Sequence, residues 1–349
     1  KCLLFFKRSC PNYFDDLQGA DNEQPVSKFQ AIRYPLISLG LHTASITGLG
    51  LIDSVDLSEG EMPLWFSAAT ATQHLPLYIM DQGLAVRYSI THAGLLAAHY
   101  ATKEYPTFTL LPYNIYMNAA WFSSYEMYKI VRARARPGVY NSNWQGYGVK
   151  ELSIAPFKWK NIKQPIFIVP VGLSLIGAIS KINSSEQSIF KNGKAFIDGE
   201  EWSVDRAVPL MLGINALQYI GTAIGEEALY RGVIYEELKA TYGPKKAKLY
   251  DFFLFPAMHL PIDIARELKP FDIGKQFVVR GTVTLLFDYA YDKGGLPLSV
   301  AIHTWFNFLS FTSTWMAEGG ALSPGSENQN KGDAEMSKPP LMVNYTFRF

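Results

Sequence analysis

Hydrophobic residues are gathered into long runs separated by polar stretches, and the runs have the length and period of helices. Tyr34–Ile52 is the first, close to the ~20 residues that a bilayer requires. It is rich in Gly, Ser and Thr, which let membrane helices approach closely. Leu64–Met80 and Val86–Tyr100 are Ala-rich helical candidates. Thr107–Val131 is aromatic and interrupted by Pro112, and its rings suit either an interfacial belt or a bundle core. Pro165–Ser180 predicts a short span, and Ala207–Ile224 a further apolar helix. The segment LYDFFLFPAMHLPIDI, then Phe277–Ala290, then LPLSVAIHTWFNFLSF complete the series.

The polar stretches divide the chain. Residues 1–30 read as a polar lead-in, residues 31–140 as membrane-associated helices and residues 141–163 as a linker. The linker ends in SIAPFKWKNIKQP, which reads as a membrane-entry segment. Residues 164–317 hold the main helical core, and residues 318–349 form a tail of linker composition. Leu341, Val343, Tyr345, Phe347 and Phe349 alternate at strand period, so the tail is expected to end in a short extended strand. Lys181–Arg206 reads as a hydrophilic loop, and Gly243-Pro244 is a stop signal for the helix before it. The expected fold class is all-α: a polytopic membrane bundle with a buried polar site, plus that extended tail.

Composition qualifies this picture only a little. Of 349 residues, 48% are hydrophobic, yet the mean hydropathy is +0.01, low for a chain made wholly of spans. Part of the chain therefore lies outside lipid, or its spans are polar-lined. A net charge of +1 gives no global argument for nucleic acid, and no nucleic-acid partner is expected. Lys129, Arg132, Arg134 and Arg136 form the densest basic cluster. Beside an apolar run it belongs on the cytoplasmic side, where it would also meet anionic lipid. The two cysteines, Cys2 and Cys10, support neither a disulfide framework nor a thiolate zinc site.

The chemistry sits in three of the apolar runs. Glu226-Glu227-Ala-Leu-Tyr-Arg231 follows Ala207–Ile224. Ionisable groups in a bilayer cost several kcal/mol, roughly 2.5–3.5 on insertion scales, and are usually kept for function. On a helix Glu227 and Arg231 are i and i+4 and share a face, which leaves Glu226 about 100° away without that partner. The next run holds Phe255-xxx-His259 and the last holds His303-xxx-Asn307. Alone, each has a plain structural reading: a surface ion pair, a satisfied core histidine, a hydrogen-bonded pair. Together they put one polar constellation on each of three apolar segments, and buried polar groups seek partners. Asp288 and Asp292 border their apolar run and read as surface or cap residues.

In this order EExxxR, FxxxH and HxxxN resemble the motifs of the CPBP family of intramembrane proteases, which includes the CAAX-type prenyl-protein endopeptidases. Glu226, Glu227 and Arg231 match the first motif, Phe255 and His259 the second, His303 and Asn307 the third. The Gly-Leu-Pro-Leu-Ser approach to His303 is similar too. The resemblance runs from about Pro165 to Ala317. Pro256, inside FPAMH, departs mildly from it and affects the local geometry of His259, because proline breaks the helical ladder.

The resemblance implies an endopeptidase, a hydrolase that cleaves membrane-associated proteins or peptides. It implies an integral protein of several spans in a cell's inner membrane, with lipids as partners. Glu226 is the expected base, since desolvation makes a carboxylate a stronger one. Glu227 with Arg231 would orient it, His259 and His303 would hold the water, and Asn307 would donate to the oxyanion. Glu226, His259 and His303 also form a possible zinc ligand set of a metalloprotease, and a metal-free glutamate mechanism uses the same residues. HExxH is absent from the sequence. The competing expectations are a non-catalytic membrane scaffold or a bacteriocin-immunity-type protein.

Overall fold

In a computed structural model the described residues are 81–101, 122, 124–130, 146–197, 200–265 and 268–320. They are mostly helical. The expected span Tyr34–Ile52, the candidate helix Leu64–Met80, the cluster Arg132–Arg136 and the tail strand all lie outside them. The candidate at Val86–Tyr100 is helix α1, Gln82–Ala101. The stretch before Pro165 is more structured than a plain linker. It folds into α2 (Val149–Ser153), a 3-10 turn (Ala155–Phe157) and α3 (Trp159–Ile162).

Helix α4, Pro165–Ser184, begins with proline at its first position, where the missing N–H has no partner to lose. The hydrophilic loop after it is not all loop. A short helix α5 (Ile189–Asn192) leads into an antiparallel hairpin, β1 (Lys194–Ile197) paired with β2 (Glu200–Ser203). Ala195 and Ile197 turn inward and pack with Met211, Trp315 and Met316. The hairpin thus closes one end of a helical core.

Helix α6, Val204–Leu229, carries the first motif at its C-terminal end. Its small residues Gly221, Ala223, Gly225 and Ala228 are buried, and residues of this size leave room for a neighbouring helix. It continues through a π-helical stretch, Tyr230–Tyr235, into α7, Glu236–Tyr242. Gly232 in that stretch has no room for a side chain, because a Cβ there would stand 2.5 Å from the Tyr128 ring. The Gly243-Pro244 stop acts as expected: Gly243 takes φ 80° and Pro244 opens α8, Pro244–Ala257. Pro256 also acts as expected. Helix α8 ends one residue later and His259 falls in a turn before α9, Leu260–Ala265.

The last helix, α10, runs from Pro270 to Ala317 and breaks at Gly295 (φ 67°, ψ −168°), between the two runs read in the sequence. The two limbs pack against α4, α6 and α8. Gly295 occupies a region open only to glycine, and a Cβ there would lie 2.7 Å from the Tyr147 hydroxyl. Gly295→Ala is expected to destabilise the protein by about 1–3 kcal/mol, measurable as a lowered unfolding temperature. Tyr147→Phe in that background should recover little, because the backbone strain remains.

Among the described residues two helical stretches are long and apolar enough to cross a membrane, Pro165–Asn192 and Val204–Tyr242. They differ in surroundings: 11% of the first apolar window is buried within the protein, against 56% of the second. Ile168, Val169, Leu173, Ile176 and Ile179 of α4 face outward. The second stretch is a core helix, and it is the one that holds the paired glutamates.

Candidate active site

Glu227, Arg231 and His303 are fully buried, and Glu226 and Asn307 nearly so. The i, i+4 spacing of the first motif survives the change to π geometry: Arg231 Nη1 donates to Glu227 Oε1 at 3.2 Å. The same oxygen lies 2.7 Å from His303 Nδ1 on α10. Glu227 is therefore the hinge of the site, holding an arginine on one side and an imidazole on the other. With the His303 ring a donor at Nδ1, its Nε2 is left as the acceptor. That Nε2 faces Glu226 Oε2 at 3.8 Å, and among the described residues neither atom has a hydrogen-bond partner. The His303 ring is fixed from behind by Phe287, stacked at 4.6 Å between centroids. Asn307, one helical turn after His303, is buried with an unpartnered Oδ1.

His259 stands one ring further out. Its Nδ1 lies 2.8 Å from the Phe255 carbonyl, and its ring packs on Phe255 at 4.9 Å. Phe255 in turn lies 4.7 Å from Tyr230 and 5.0 Å from the Arg231 guanidinium. The structure thus brings Glu226, Glu227, Arg231 and His303 into direct contact. It links His259 to them through Phe255.

Arg231 has two further carboxylate partners that the sequence reading missed. Its Nε donates to Asp288 Oδ1 at 3.2 Å, and its Nη2 lies 3.8 Å from Asp251 Oδ2. Nη2 also donates to the Thr284 carbonyl at 3.2 Å. Asp251 and Asp288 are fully buried, so the reading of Asp288 as a surface or cap residue is corrected. The border of an apolar run is a poor guide when the next helix supplies a cation. Asp292, by contrast, is partly exposed and accepts from Lys239, Lys248 and Tyr235. The guanidinium also lies over the Phe255 and Phe287 rings, at 5.0 and 5.2 Å from their centroids. The available signal for Asp251 was its position: a lone acid in an apolar helix, one turn before Phe255. Asp288→Asn is expected to lower stability by about 1.5–3 kcal/mol, the range for a hydrogen bond to a charged group, read as a drop in unfolding temperature.

The expected zinc ligands were Glu226, His259 and His303. Among the described residues no group of three or more His, Cys, Asp or Glu side chains is placed to hold a metal ion. Glu226 and His303 offer two donor atoms, and His259 does not join them as a third. Two donors fall short of the three protein ligands of a catalytic zinc site, and no step below passes through a metal.

Fold and site together define a class: a helical, membrane-type domain that keeps acid and base side chains inside it. Residues 209–309, which carry all three motifs, match the family model of the type II CAAX prenyl endopeptidases, Rce1-like. These residues are similar to that family, which is membrane-embedded and a family of proteases. No curated protein and no solved structure matches the chain significantly.

Proposed function

We propose that the protein is a multi-pass intramembrane endopeptidase in which Glu226 activates water against a membrane-associated protein or peptide. The observation that carries this reading is the facing pair, Glu226 Oε2 and His303 Nε2, buried at 3.8 Å without other partners. A water set to the side of the line between them is within hydrogen-bond reach of both. It donates one hydrogen to Glu226 and the other to His303 Nε2.

Glu226 takes the proton as the water oxygen attacks the scissile carbonyl carbon. Asn307, on the same helix face as His303, donates its amide N–H to the oxyanion. Collapse of the tetrahedral intermediate breaks the C–N bond, and Glu226 returns its proton to the leaving amine. Glu227 does not react. It fixes the His303 tautomer through Nδ1 and is itself neutralised by Arg231, which keeps the cation away from the base. His259, with Nδ1 at the Phe255 carbonyl, would help hold the water. Such preorganised dipoles supply much of the rate in water-poor sites.

The outward apolar face of α4 supports lipid contact, with α4 and α6 as two of several spans in a cell's inner membrane. Substrate would then reach the site from the membrane plane. The test is reconstitution into bilayers with a library of membrane-anchored peptides. Cleavage of anchored members in preference to their unanchored forms is the expected result. Equal activity on soluble peptides would overturn the membrane-substrate reading, and no cleavage of any member would favour a scaffold.

A further inference from the structure

The corner that precedes α4 has two faces, and only one is explained by folding. On the inner face Leu152, Ala155, Pro156 and Asn161 are buried. Asn161 Nδ2 donates to the Ala155 carbonyl at 2.9 Å and to the Pro297 carbonyl at 3.4 Å. Trp305 Nε1 donates to the Pro156 carbonyl at 2.9 Å, and Phe157 meets the Trp305 ring edge-on at 6.2 Å. These contacts fasten the corner to the limb of α10 that carries His303. It cannot roll over to hide its other side.

That other side is apolar and basic at once. Ile154, Phe157 and Trp159 are 45%, 58% and 71% exposed. Lys160 and Lys163 stand exposed among them, and among the described residues neither pairs with a carboxylate. Lys158 alone reaches one, Glu151, at 3.7 Å. Three large apolar side chains left in water are unfavourable, at roughly 25 cal/mol per Å² of apolar surface. Tryptophan interleaved with lysine suits a membrane–water boundary: the ring sits at headgroup level, and lysine stems lie along apolar surface while the ammonium groups reach phosphate. The outward apolar face of α4 begins directly after, at Ile168.

Charge is distributed to match. Asp292, three residues before the break at Gly295, bonds Lys239 and Lys248, and Pro297, two residues after it, bonds Asn161. The exposed Lys245 and Lys246 of α8 follow Lys239 closely and belong to this same end. At the far end, where Ser185 bonds the Ala317 carbonyl, Lys191 and Lys194 are taken up by Glu186 and Glu201. Lys160, Lys163, Lys245 and Lys246 are thus exposed lysines without carboxylate partners at the Pro165 end, among the described residues; Lys269 and Lys275, at the start of α10, are exposed lysines away from it.

We infer that residues 154–163 are an interfacial anchor that seats the Pro165 end of α4 in the anionic headgroup layer of one leaflet. The inference rests on the membrane reading above and adds to it a side, a depth and a lipid class. Because the corner is bonded to Pro297 and Trp305, the anchor also sets the depth of the helix that carries His303.

The test uses the full chain in phosphatidylcholine bilayers, with and without phosphatidylserine. Lipids brominated near the headgroup or near the chain end serve as quenchers. Trp159 fluorescence is obtained by difference against Trp159→Phe, and Ile176→Trp in that background reports on α4. Shallow quenching of Trp159 with deep quenching at position 176 is expected. Lys160→Gln with Lys163→Gln should reduce the preference of the protein for phosphatidylserine roughly thirtyfold, from about 1 kcal/mol for each of the two basic residues. Deep quenching at 176 with none of Trp159 at either depth would overturn the anchor and leave the membrane reading standing. An unchanged lipid preference in the double lysine variant would overturn the anionic choice. No quenching at either position would remove the membrane reading and the anchor with it.

Discussion

Glu226→Gln is expected to abolish peptide cleavage, by at least 10²- to 10⁴-fold, while the protein still folds and accumulates. Glutamine keeps the volume and one oxygen of the side chain, so packing is preserved. The lost atom carries no fold: among the described residues Glu226 Oε2 has no hydrogen-bond partner, and it faces His303 Nε2. Everything that glutamine removes is basicity. Glu227→Gln is the contrasting case, because Glu227 Oε1 bonds both Arg231 and His303. That change should lower stability and activity together. The measurement is single-turnover cleavage of an anchored peptide beside thermal unfolding of each variant. Near-normal turnover in Glu226→Gln would end the general-base reading and return weight to a non-catalytic scaffold.

Much of this site is legible in the sequence because its spacings are helical. The interval of four residues set Glu227 against Arg231, and it set His303 above Asn307 on one face. Gly243-Pro244 and Pro256 stopped their helices where backbone chemistry requires. What was not legible depends on contacts between elements. No local rule tells that Asp251 and Asp288, on different helices, meet one guanidinium. Nor does the period of α6 reveal that the chain widens to a π-helix at Tyr230, where Gly232 admits the Tyr128 ring. The hairpin at Lys194–Ser203 was missed through its charge. Its inward residues Ala195 and Ile197 are few, and the mixed lysines and glutamates around them read as loop. The pair Asp198-Gly199 between the strands was the available turn signal. His259 marks a different limit: its motif places it on the right segment, while the proline three residues before it decides where the ring goes.

Arg231→Ala is expected to be the most damaging single change to folding. The arginine is fully buried, and its three carboxylate partners, Glu227, Asp288 and Asp251, are fully buried with it. Breaking a buried ion pair by removing one partner typically costs roughly 3–5 kcal/mol, because the other charge is left without compensation. Against a total stability on the order of 5–15 kcal/mol, that is enough to deplete the folded protein in the membrane. Activity should fall with it, since Glu227 would no longer be neutralised and could not hold the His303 tautomer. Arg231→Lys should do only a little better. A single ammonium cannot reach Glu227, Asp288 and the Thr284 carbonyl at once as the guanidinium fork does. The decisive comparison is a cycle with Asp288→Asn. Alone, that change takes the charge out of a good hydrogen bond and destabilises. In the Arg231→Ala background it removes a stranded carboxylate and should raise accumulation and unfolding temperature. Opposite signs in the two backgrounds would place the energy in the charge network and not in side-chain volume. A well-accumulated, fully active Arg231→Ala protein would show instead that Glu227 needs no cation.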